Sequence, residues 1–251
     1  AFVFFLFAFR DISLGMFDVQ KNYSHTFYTI AENRFSYIFQ RFTGDYLFYI
    51  FTKIITIFTS NINVYLAISA LPIVCAVGLL IYRYSEYPWL SWIMFFCLGY
   101  FSAHVTILRQ SIAMALSIFM YMELQKEHYK KATVLWFIAV GFHITAIISI
   151  VLIIIKKWRI QINLKTNCIV LSLSVLCFML SFKRFNRYLL HLSSFNMTLF
   201  LINLLQCLFC VVLHYWMIAY ERKNNELECD ETMVQTDNLM LVILLCSLPF
   251  Y

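Results

Sequence analysis

Arg109 and Gln110 lie near the start of an otherwise apolar stretch, residues 104–116, which reads HVTILRQSIAMAL. A charged side chain of a helix in hydrocarbon costs roughly 3 to more than 10 kcal/mol, depending on its depth. We therefore expect Arg109 to face water, protein or an anion rather than lipid. A guanidinium group binds phosphate through paired hydrogen bonds and stays charged at any working pH, so a phosphorylated ligand suits this position.

Two further residues could take part in proton transfer. His143 follows Gly141 and Phe142 inside an apolar run. There it would act as a general base or a hydrogen-bond donor, or it would bond a backbone carbonyl freed at the glycine. Asp18 lies in a polar segment, where its carboxylate would either accept a proton from a hydroxyl group or stabilise a turn. Both interpretations stay open for each residue.

The composition predicts a membrane protein. Of 251 residues, 62% are hydrophobic and only 13% are charged, whereas about a quarter of the residues of a soluble domain carry a charge. Few glycines and prolines interrupt the apolar runs, which favours an all-α, polytopic transmembrane helical bundle. The net charge of +6 is spread over loops. This distribution of charge suits anionic lipid-linked ligands. The sequence has no basic block of the kind that nucleic acid requires.

The cysteines do not indicate metal or redox chemistry. Most of the eight lie in apolar runs, and Cys207 and Cys210 have a CxxC spacing without a nearby histidine or carboxylate. We interpret them as packing residues. The sequence also lacks a nucleophile elbow, a phosphate-binding glycine loop and a metal-ligand cluster, so we expect neither a metal nor a cofactor.

The lysines indicate on which side of the membrane each loop lies. Spans are expected at Ile62–Tyr82, Pro88–Ala103 and Thr106–Met122. The loop that follows them contains Lys126, Lys130 and Lys131, and the positive-inside rule assigns it to the cytoplasm. Arg109 then lies at the outer end of its helix. The long polar loop of residues 10–45 is also outside, provided that residues 46–59 do not cross the membrane.

Residues 46–59 are short for a span, since fourteen helical residues reach only about 21 Å. Thr52, Thr56 and Thr59 recur at helical spacing with Lys53 beside them. This polar stripe favours an amphipathic helix at the membrane interface. A short true span is the alternative.

Residues 132–155 form one apolar run that is either a single span or a helix pair broken at Gly141–His143. A single span would put the next four cations outside, namely Lys156, Lys157, Arg159 and Lys165. A broken pair keeps them inside and brings His143 to the outer side, although each half would be only about 18 Å long. We prefer the broken pair, which requires the exposed backbone to line protein or a wet cavity.

The later segments complete the topology. Residues 167–182 return outward, and the outer loop 183–196 contains Arg184 and Arg187. Both ends of the chain lie inside apolar runs, so we expect residues 1–251 to be one integral membrane domain of a longer protein. The candidate site on the outer face comprises Arg10, Asp18, Tyr23, Arg109, Gln110, Arg184 and Arg187, with His143. The side chains of Arg10, Arg184 and Arg187 could each instead extend towards lipid headgroups.

The motifs in this chain resemble those of the EpsG family of bacterial exopolysaccharide polymerases, which are Wzy-like polymerases of oligosaccharide repeat units. The first is Arg109-Gln110-Ser111-Ile112-Ala113 and the second is Phe142-His143-Ile144-Thr145-Ala146. A third comprises Arg10, Gly15, Asp18 and Tyr23, with one extra residue between the glycine and the aspartate. The long first outer loop followed by an interfacial helix is similar to the GT-C glycosyltransferase architecture.

The resemblance implies a glycosyltransferase in the bacterial cytoplasmic membrane. Its substrate would be a polyprenyl-diphosphate-linked oligosaccharide, and its further partners would be membrane lipid and other polysaccharide assembly proteins. Arg109, His143 and Asp18 would be catalytic. Substrate would be bound by Arg10, Tyr23, Gln110, Arg184 and Arg187. A flippase for the same lipid-linked oligosaccharide is the alternative, and a membrane O-acyltransferase is disfavoured by the external arginines.

Overall fold

A computed structural model describes residues 2–8, 22–97, 100–158, 212 and 216. Within these residues the regular structure is helical without strands, which confirms the all-α prediction. The helices are α1 (Phe2–Ala8), α2 (Ser24–Glu32), α3 (Ser36–Arg41), α4 (Tyr46–Phe58), α5 (Ile62–Tyr84), α6 (Pro88–Cys97), α7 (Tyr100–Thr106), α8 (Leu108–Gln125), α9 (Tyr129–Phe142), a 3₁₀ helix (Ile144–Ser149) and α10 (Ile150–Lys157). By internal contacts the chain divides into two units, residues 1–154 and 155–251.

Among the described residues, α5 is the one helix that is long and apolar enough to cross a membrane. Its 23 residues reach about 35 Å, which exceeds the hydrocarbon thickness of roughly 30 Å. The helix closely matches the expected span Ile62–Tyr82. Leu71 and Leu79 are exposed, whereas Leu66 and Ile73 are buried against neighbouring helices.

The predicted span Pro88–Ala103 contains α6 and the start of α7, and residues 98 and 99 between these helices lie outside the described residues. An interruption separates α7 from α8 at Ile107, whose backbone leaves the helical region. The side chains of His104 and Ser111 connect the two helices across this interruption. His104 Nδ1 lies 3.1 Å from Ser111 Oγ, which donates to the His104 carbonyl at 2.8 Å. His104 is buried, and its Nδ1 atom has the Ser111 hydroxyl as a partner.

Helices α8 and α9 form a tight antiparallel pair. The turn between them is stabilised by Glu123, whose carboxylate accepts hydrogen bonds from Lys126 at 2.7 Å and from His128 at 2.9 Å. Small residues on α8, including Ala113 and Ala115, are buried and allow the neighbouring helices to approach closely. Because the pair is antiparallel, the first residues of α8 and the last residues of α9 lie at the same end of the pair.

The chain reverses direction at His143. Helix α9 ends at Phe142, and His143 has extended backbone angles before the 3₁₀ helix begins. The Ser117 hydroxyl lies 3.5 Å from the Ser149 hydroxyl. Ser117 is about 12 Å along α8 from Arg109, and a six-residue 3₁₀ helix also advances about 12 Å. The 3₁₀ helix therefore runs back along α8, which confirms the break predicted at Gly141–His143.

Helix α4 turns its polar stripe towards the protein. Thr52 is fully buried, and Lys53 Nζ donates to the carbonyls of Ile30, Ala31 and Asn33 at 2.9, 3.3 and 2.7 Å. These carbonyls at the C-terminal end of α2 would otherwise lack donors. The exposed face of α4 is apolar instead and includes Ile57 and Phe58. The stripe therefore does not mark a water-facing side, and the interfacial location of α4 stays a prediction.

Helices α4 and α9 approach closely because residue 141 is a glycine. A Cβ added to Gly141 would meet the Leu47 side chain, with Cγ at 2.8 Å. Phe51 and Phe142 pack edge to face beside this contact, with ring centroids 5.9 Å apart. The approach brings the first residues of α4 against the end of α9.

We expect Lys53→Met to lower the free energy of unfolding by about 2 kcal/mol, because several hydrogen bonds from a charged group to half-buried carbonyls are lost. Lys126→Met is the matched control, since it removes an exposed ion pair and should cost about 0.5 kcal/mol or less. Thermal unfolding of the purified variants measures both. Equal effects of the two substitutions would contradict the role assigned to Lys53.

We expect Gly141→Ala to destabilise the protein by about 1–3 kcal/mol, the usual cost of overpacking. Adding Leu47→Ala should recover part of this loss, because it removes the atoms that the new methyl group meets. Gly78→Ala is the control, since the nearest atom to its Cβ is 3.9 Å away. Additive effects at positions 47 and 141 in thermal unfolding would rule out the close contact.

Candidate functional site

Three segments that are distant in the sequence meet at one end of the α8–α9 pair. Arg109 is in the first turn of α8, His143 follows the last residue of α9, and Asp45 precedes α4. The antiparallel packing of α8 and α9 brings Arg109 and His143 to the same end. The contact at Gly141 brings Asp45 between them. We call Asp45, Arg109 and His143 the central triad.

Asp45 connects the other two members of the triad. Its Oδ2 atom accepts from Arg109 Nη1 at 2.9 Å and lies 3.1 Å from His143 Nδ1. Its Oδ1 atom accepts from the backbone N–H of Ile144 at 3.3 Å. The N–H groups at the start of a helix lack intrahelical partners. Asp45 therefore holds the start of the 3₁₀ helix as well as the two side chains.

A left-handed turn positions the Asp45 carboxylate. Gly44 has a φ of 86° and Asp45 has a φ of 49°. Glycine adopts such angles freely, and aspartate tolerates them better than most residues. Asp45 stands at the N-cap of α4 but makes no side-chain cap bond to that helix. Its carboxylate is directed towards α8 and α9 instead.

Aromatic residues surround the guanidinium of Arg109. Besides Asp45, Nη1 donates to the Tyr49 hydroxyl at 3.3 Å, and Cζ lies 6.0 Å from the centroid of the Tyr23 ring. Tyr49 is itself stacked on Phe42, with centroids 3.9 Å apart. The Arg109 side chain remains 35% exposed. A guanidinium group has five N–H donors, so this arrangement can hold Arg109 while an anion binds it.

The hydrogen bond between Asp45 and His143 defines the tautomer of the neutral imidazole. An ionised carboxylate only accepts hydrogen bonds, so the proton of this bond is on His143 Nδ1. Nε2 of a neutral imidazole then carries the lone pair. In this neutral form Nε2 is the nitrogen that can accept a proton, and the His143 side chain as a whole is 20% exposed.

The environment of Asp45 keeps its carboxylate ionised. Burial raises the pKa of Asp45, but the hydrogen bond from His143, the charge that His143 carries when protonated, the charge of Arg109 and the Ile144 N–H together lower it further than burial raises it. The net result is a pKa below the ordinary value of an aspartate. Asp45 is thus a poor proton acceptor at neutral pH and acts as a fixed negative charge between the two basic groups.

An apolar core packs next to the residues of the triad. Leu108 and Ile112 flank Arg109 on α8 and are buried together with Phe48 of α4 and Tyr65 of α5. Tyr23 belongs to the same core and packs edge to face on Phe48, with centroids 5.7 Å apart. The backbone around Arg109 and Asp45 is therefore held by close packing rather than by the polar contacts alone.

The whole chain is similar to one protein family. The EpsG family model matches residues 1–251, the whole chain. The chain belongs to the EpsG family. No curated protein and no solved structure matches it.

Membership assigns this EpsG family protein to a group of membrane-associated polymerases that act in polysaccharide biosynthesis. The resemblance found from the Arg-Gln and Phe-His motifs is thereby confirmed. The triad contains the arginine of the first motif and the histidine of the second, so the fold brings the two motifs together through Asp45.

The structure places the other predicted residues differently. Tyr23 lies beside Arg109 but is only 5% exposed, so it packs in the core rather than offering a free surface. Gln110 is half-buried next to Arg109. The remaining candidates are outside the described residues, namely Arg10, Asp18, Arg184 and Arg187. The catalytic and binding roles of all these residues stay predictions.

Sequence reasoning missed Asp45 and Tyr49 of this EpsG family protein. Asp45 appeared only as the last residue of a long loop, although the pair Gly44-Asp45 before an apolar helix is a signal for a turn. That signal predicts local structure and says nothing about α8 or α9. Tyr49 was one of many aromatic residues in an aromatic segment, and no spacing distinguished it.

The described residues contain no group of three or more histidine, cysteine, aspartate or glutamate side chains that could hold a metal ion. The polar chemistry of the central triad is that of a cation, a carboxylate and an imidazole. Such a set can bind an anion, orient an imidazole and accept a proton.

We expect the stabilising effect of Asp45 to depend on pH. Because the pKa of Asp45 is lowered on folding, its contribution is complete above about pH 4, the ordinary range of an unfolded aspartate, and is lost as the pH falls through the lower folded value. Asp45→Asn should unfold at a lower temperature than the wild type at pH 7. The difference should shrink at about pH 3, and a difference that is independent of pH would contradict this role.

Proposed function

We propose that this EpsG family protein is an integral membrane glycosyltransferase of the bacterial cytoplasmic membrane. It would join polyprenyl-diphosphate-linked oligosaccharide repeat units into exopolysaccharide or capsule on the outer face. The observation that carries the proposal is the contact of Asp45 with both Arg109 and His143 at one end of the α8–α9 pair. This contact supports the proposal because it joins a guanidinium, a group suited to anions, and an imidazole, a group suited to proton transfer, in a member of a membrane-associated polymerase family.

Arg109 binds the diphosphate of the donor in this proposal. Its guanidinium is partly exposed and is already oriented by Asp45 and Tyr49, so little side-chain freedom remains to be lost when an anion binds. As the glycosyl bond breaks, negative charge collects on the leaving diphosphate. A cation oriented in advance stabilises that charge more than it stabilises the bound substrate, which lowers the barrier.

His143 acts as the general base. A hydroxyl oxygen of the acceptor sugar forms the new bond to the anomeric carbon of the donor, and its proton passes to Nε2 of His143. The bond from the anomeric carbon to the diphosphate oxygen breaks, and the polyprenyl diphosphate leaves with the electron pair. Asp18 is the alternative base. Gln110 would orient donor or acceptor, and Arg10, Tyr23, Arg184 and Arg187 would complete the binding of the substrate.

The location in a membrane rests on the surface of the described helices. Besides α5, large apolar side chains are exposed on α4, α6 and α9, where a soluble protein would bury most of them. Phe58 is 83% exposed, and Trp89 and Phe137 are more than 60% exposed. Contact with lipid would remove this apolar surface from water. The multi-pass topology and the outer location of the triad are parts of the proposal.

We expect Arg109→Ala to abolish polymer and to cause lipid-linked single repeats to accumulate. Arg109→Lys keeps a cation but loses paired hydrogen bonds, so it should lower the elongation rate by roughly 10²-fold. Arg83→Ala, at an exposed arginine of α5, is the matched control and should make normal polymer. The assay is chain elongation by purified protein in liposomes that contain the lipid-linked repeat.

The same liposomes distinguish the alternatives. Normal polymer length in well-folded Arg109→Ala protein would remove Arg109 from the mechanism. Transfer of the lipid-linked repeat between leaflets by the wild type, without any elongation, would favour the flippase. Loss of both elongation and the folded protein in Arg109→Ala makes Arg109→Lys the deciding variant, because it retains a partner for Asp45.

A further inference from the structure

We propose that Asp45 is the positioning residue of this site: it selects the Nδ1–H tautomer of His143 and holds Arg109 in place, at the cost of weaker diphosphate binding. This inference rests on the proposed function for its kinetic consequences. It concerns a residue that none of the family motifs recognised in the sequence includes.

Asp45 does not cap the helix that it precedes. An aspartate before a helix usually caps that helix by accepting from its first N–H groups. Asp45 makes no such bond and adopts a left-handed conformation that is uncommon for a residue with a side chain. The unusual backbone directs the carboxylate away from α4. An observed outlier of this kind is typical of residues that serve a site rather than their own helix.

The Asp45 carboxylate accepts hydrogen bonds from three groups. Its two oxygens accept from the Arg109 guanidinium, the His143 ring and the Ile144 backbone N–H. The Asp45 side chain is only 12% exposed. A carboxylate occupied in this way does not compete for a substrate proton. It fixes two neighbouring groups in space, and the resulting tautomer leaves Nε2 of His143 as the acceptor.

The charges of the central triad disfavour the binding of a diphosphate. With a neutral His143, the positive charge of Arg109 and the negative charge of Asp45 cancel. An anionic diphosphate therefore meets a triad without net positive charge, and the nearby carboxylate repels it. A residue that opposes binding of the substrate is explained if its benefit appears in the chemical step instead. Replacing Asp45 should therefore strengthen the binding of the donor and slow turnover.

The test compares Asp45→Asn with the wild type in the liposome elongation assay. We expect kcat to fall by about 10²-fold or more, the usual contribution of a general base. The KM for the lipid-linked donor should fall by up to about fivefold, the effect of one partly exposed charge. Glu32→Gln removes an exposed negative charge from α2 and is the control for net charge. Equal changes in Glu32→Gln and Asp45→Asn would overturn the proposal.

A loss of both binding and turnover in Asp45→Asn would show a merely structural role and would also overturn it. Binding is measured separately with a polyprenyl diphosphate without sugar in vesicles of neutral lipid. Asp45→Asn should bind this probe at least as tightly as the wild type. Weaker binding would mean that Asp45 supports the anion site rather than opposing it.

A spectroscopic test does not depend on polymerase activity. In protein labelled with ¹⁵N-histidine, the two ring nitrogens report the tautomer, and His143→Gln assigns the signal. We expect the wild type to carry the proton on Nδ1 and Asp45→Asn to lose this preference. The same tautomer in both proteins would overturn the proposal. If the tautomer changes as expected but the wild type does not elongate chains, the proposed function fails and the positioning role stands.

Discussion

The ion pair between Arg109 and Asp45 is the constraint on which this part of the structure depends. A guanidinium in an apolar helix needs a partner, since an uncompensated charge in such surroundings is costly. The partner sits 2.9 Å away, on the turn before α4. The same turn brings α4 against the end of α9, where a Cβ on residue 141 would meet the Leu47 side chain. The polar contact and the helix packing thus depend on each other.

The same contact joins the two family motifs of this EpsG protein into one site. Arg109 and His143 belong to different helices, and each alone has a structural explanation. Their common bond to Asp45 makes them one unit, in which removal of any member disturbs the other two. The reversal of the chain at His143 is part of this arrangement. It leaves the imidazole at the end of α9 beside Arg109, where the two can act on one substrate.

The sequence pattern predicted α5 and the break after Gly141, but it did not predict which neighbours the polar face of α4 contacts. The span at Ile62–Tyr82 and the break after Gly141 both follow from local sequence, because length, apolarity and a glycine next to a histidine act within a few residues. The polar stripe of α4 was misleading. Thr52, Thr56 and Thr59 recur at helical spacing with Lys53 beside them, but Thr52 is buried and Lys53 donates to the carbonyls at the end of α2. Periodicity shows that a helix has two faces and cannot tell which partner a polar face meets.

The sequence by itself determined the family, the all-α class and the need for Arg109 to meet a polar partner, since these follow from composition, motif order and the cost of a charge in an apolar helix. Only the tertiary structure decided that the partner is Asp45. The bonds of Asp45 to Arg109 and His143 cross 64 and 98 residues of chain, and its carboxylate points towards them because of a left-handed turn. Contacts over such separations arise from the packing of whole helices, which no local pattern encodes.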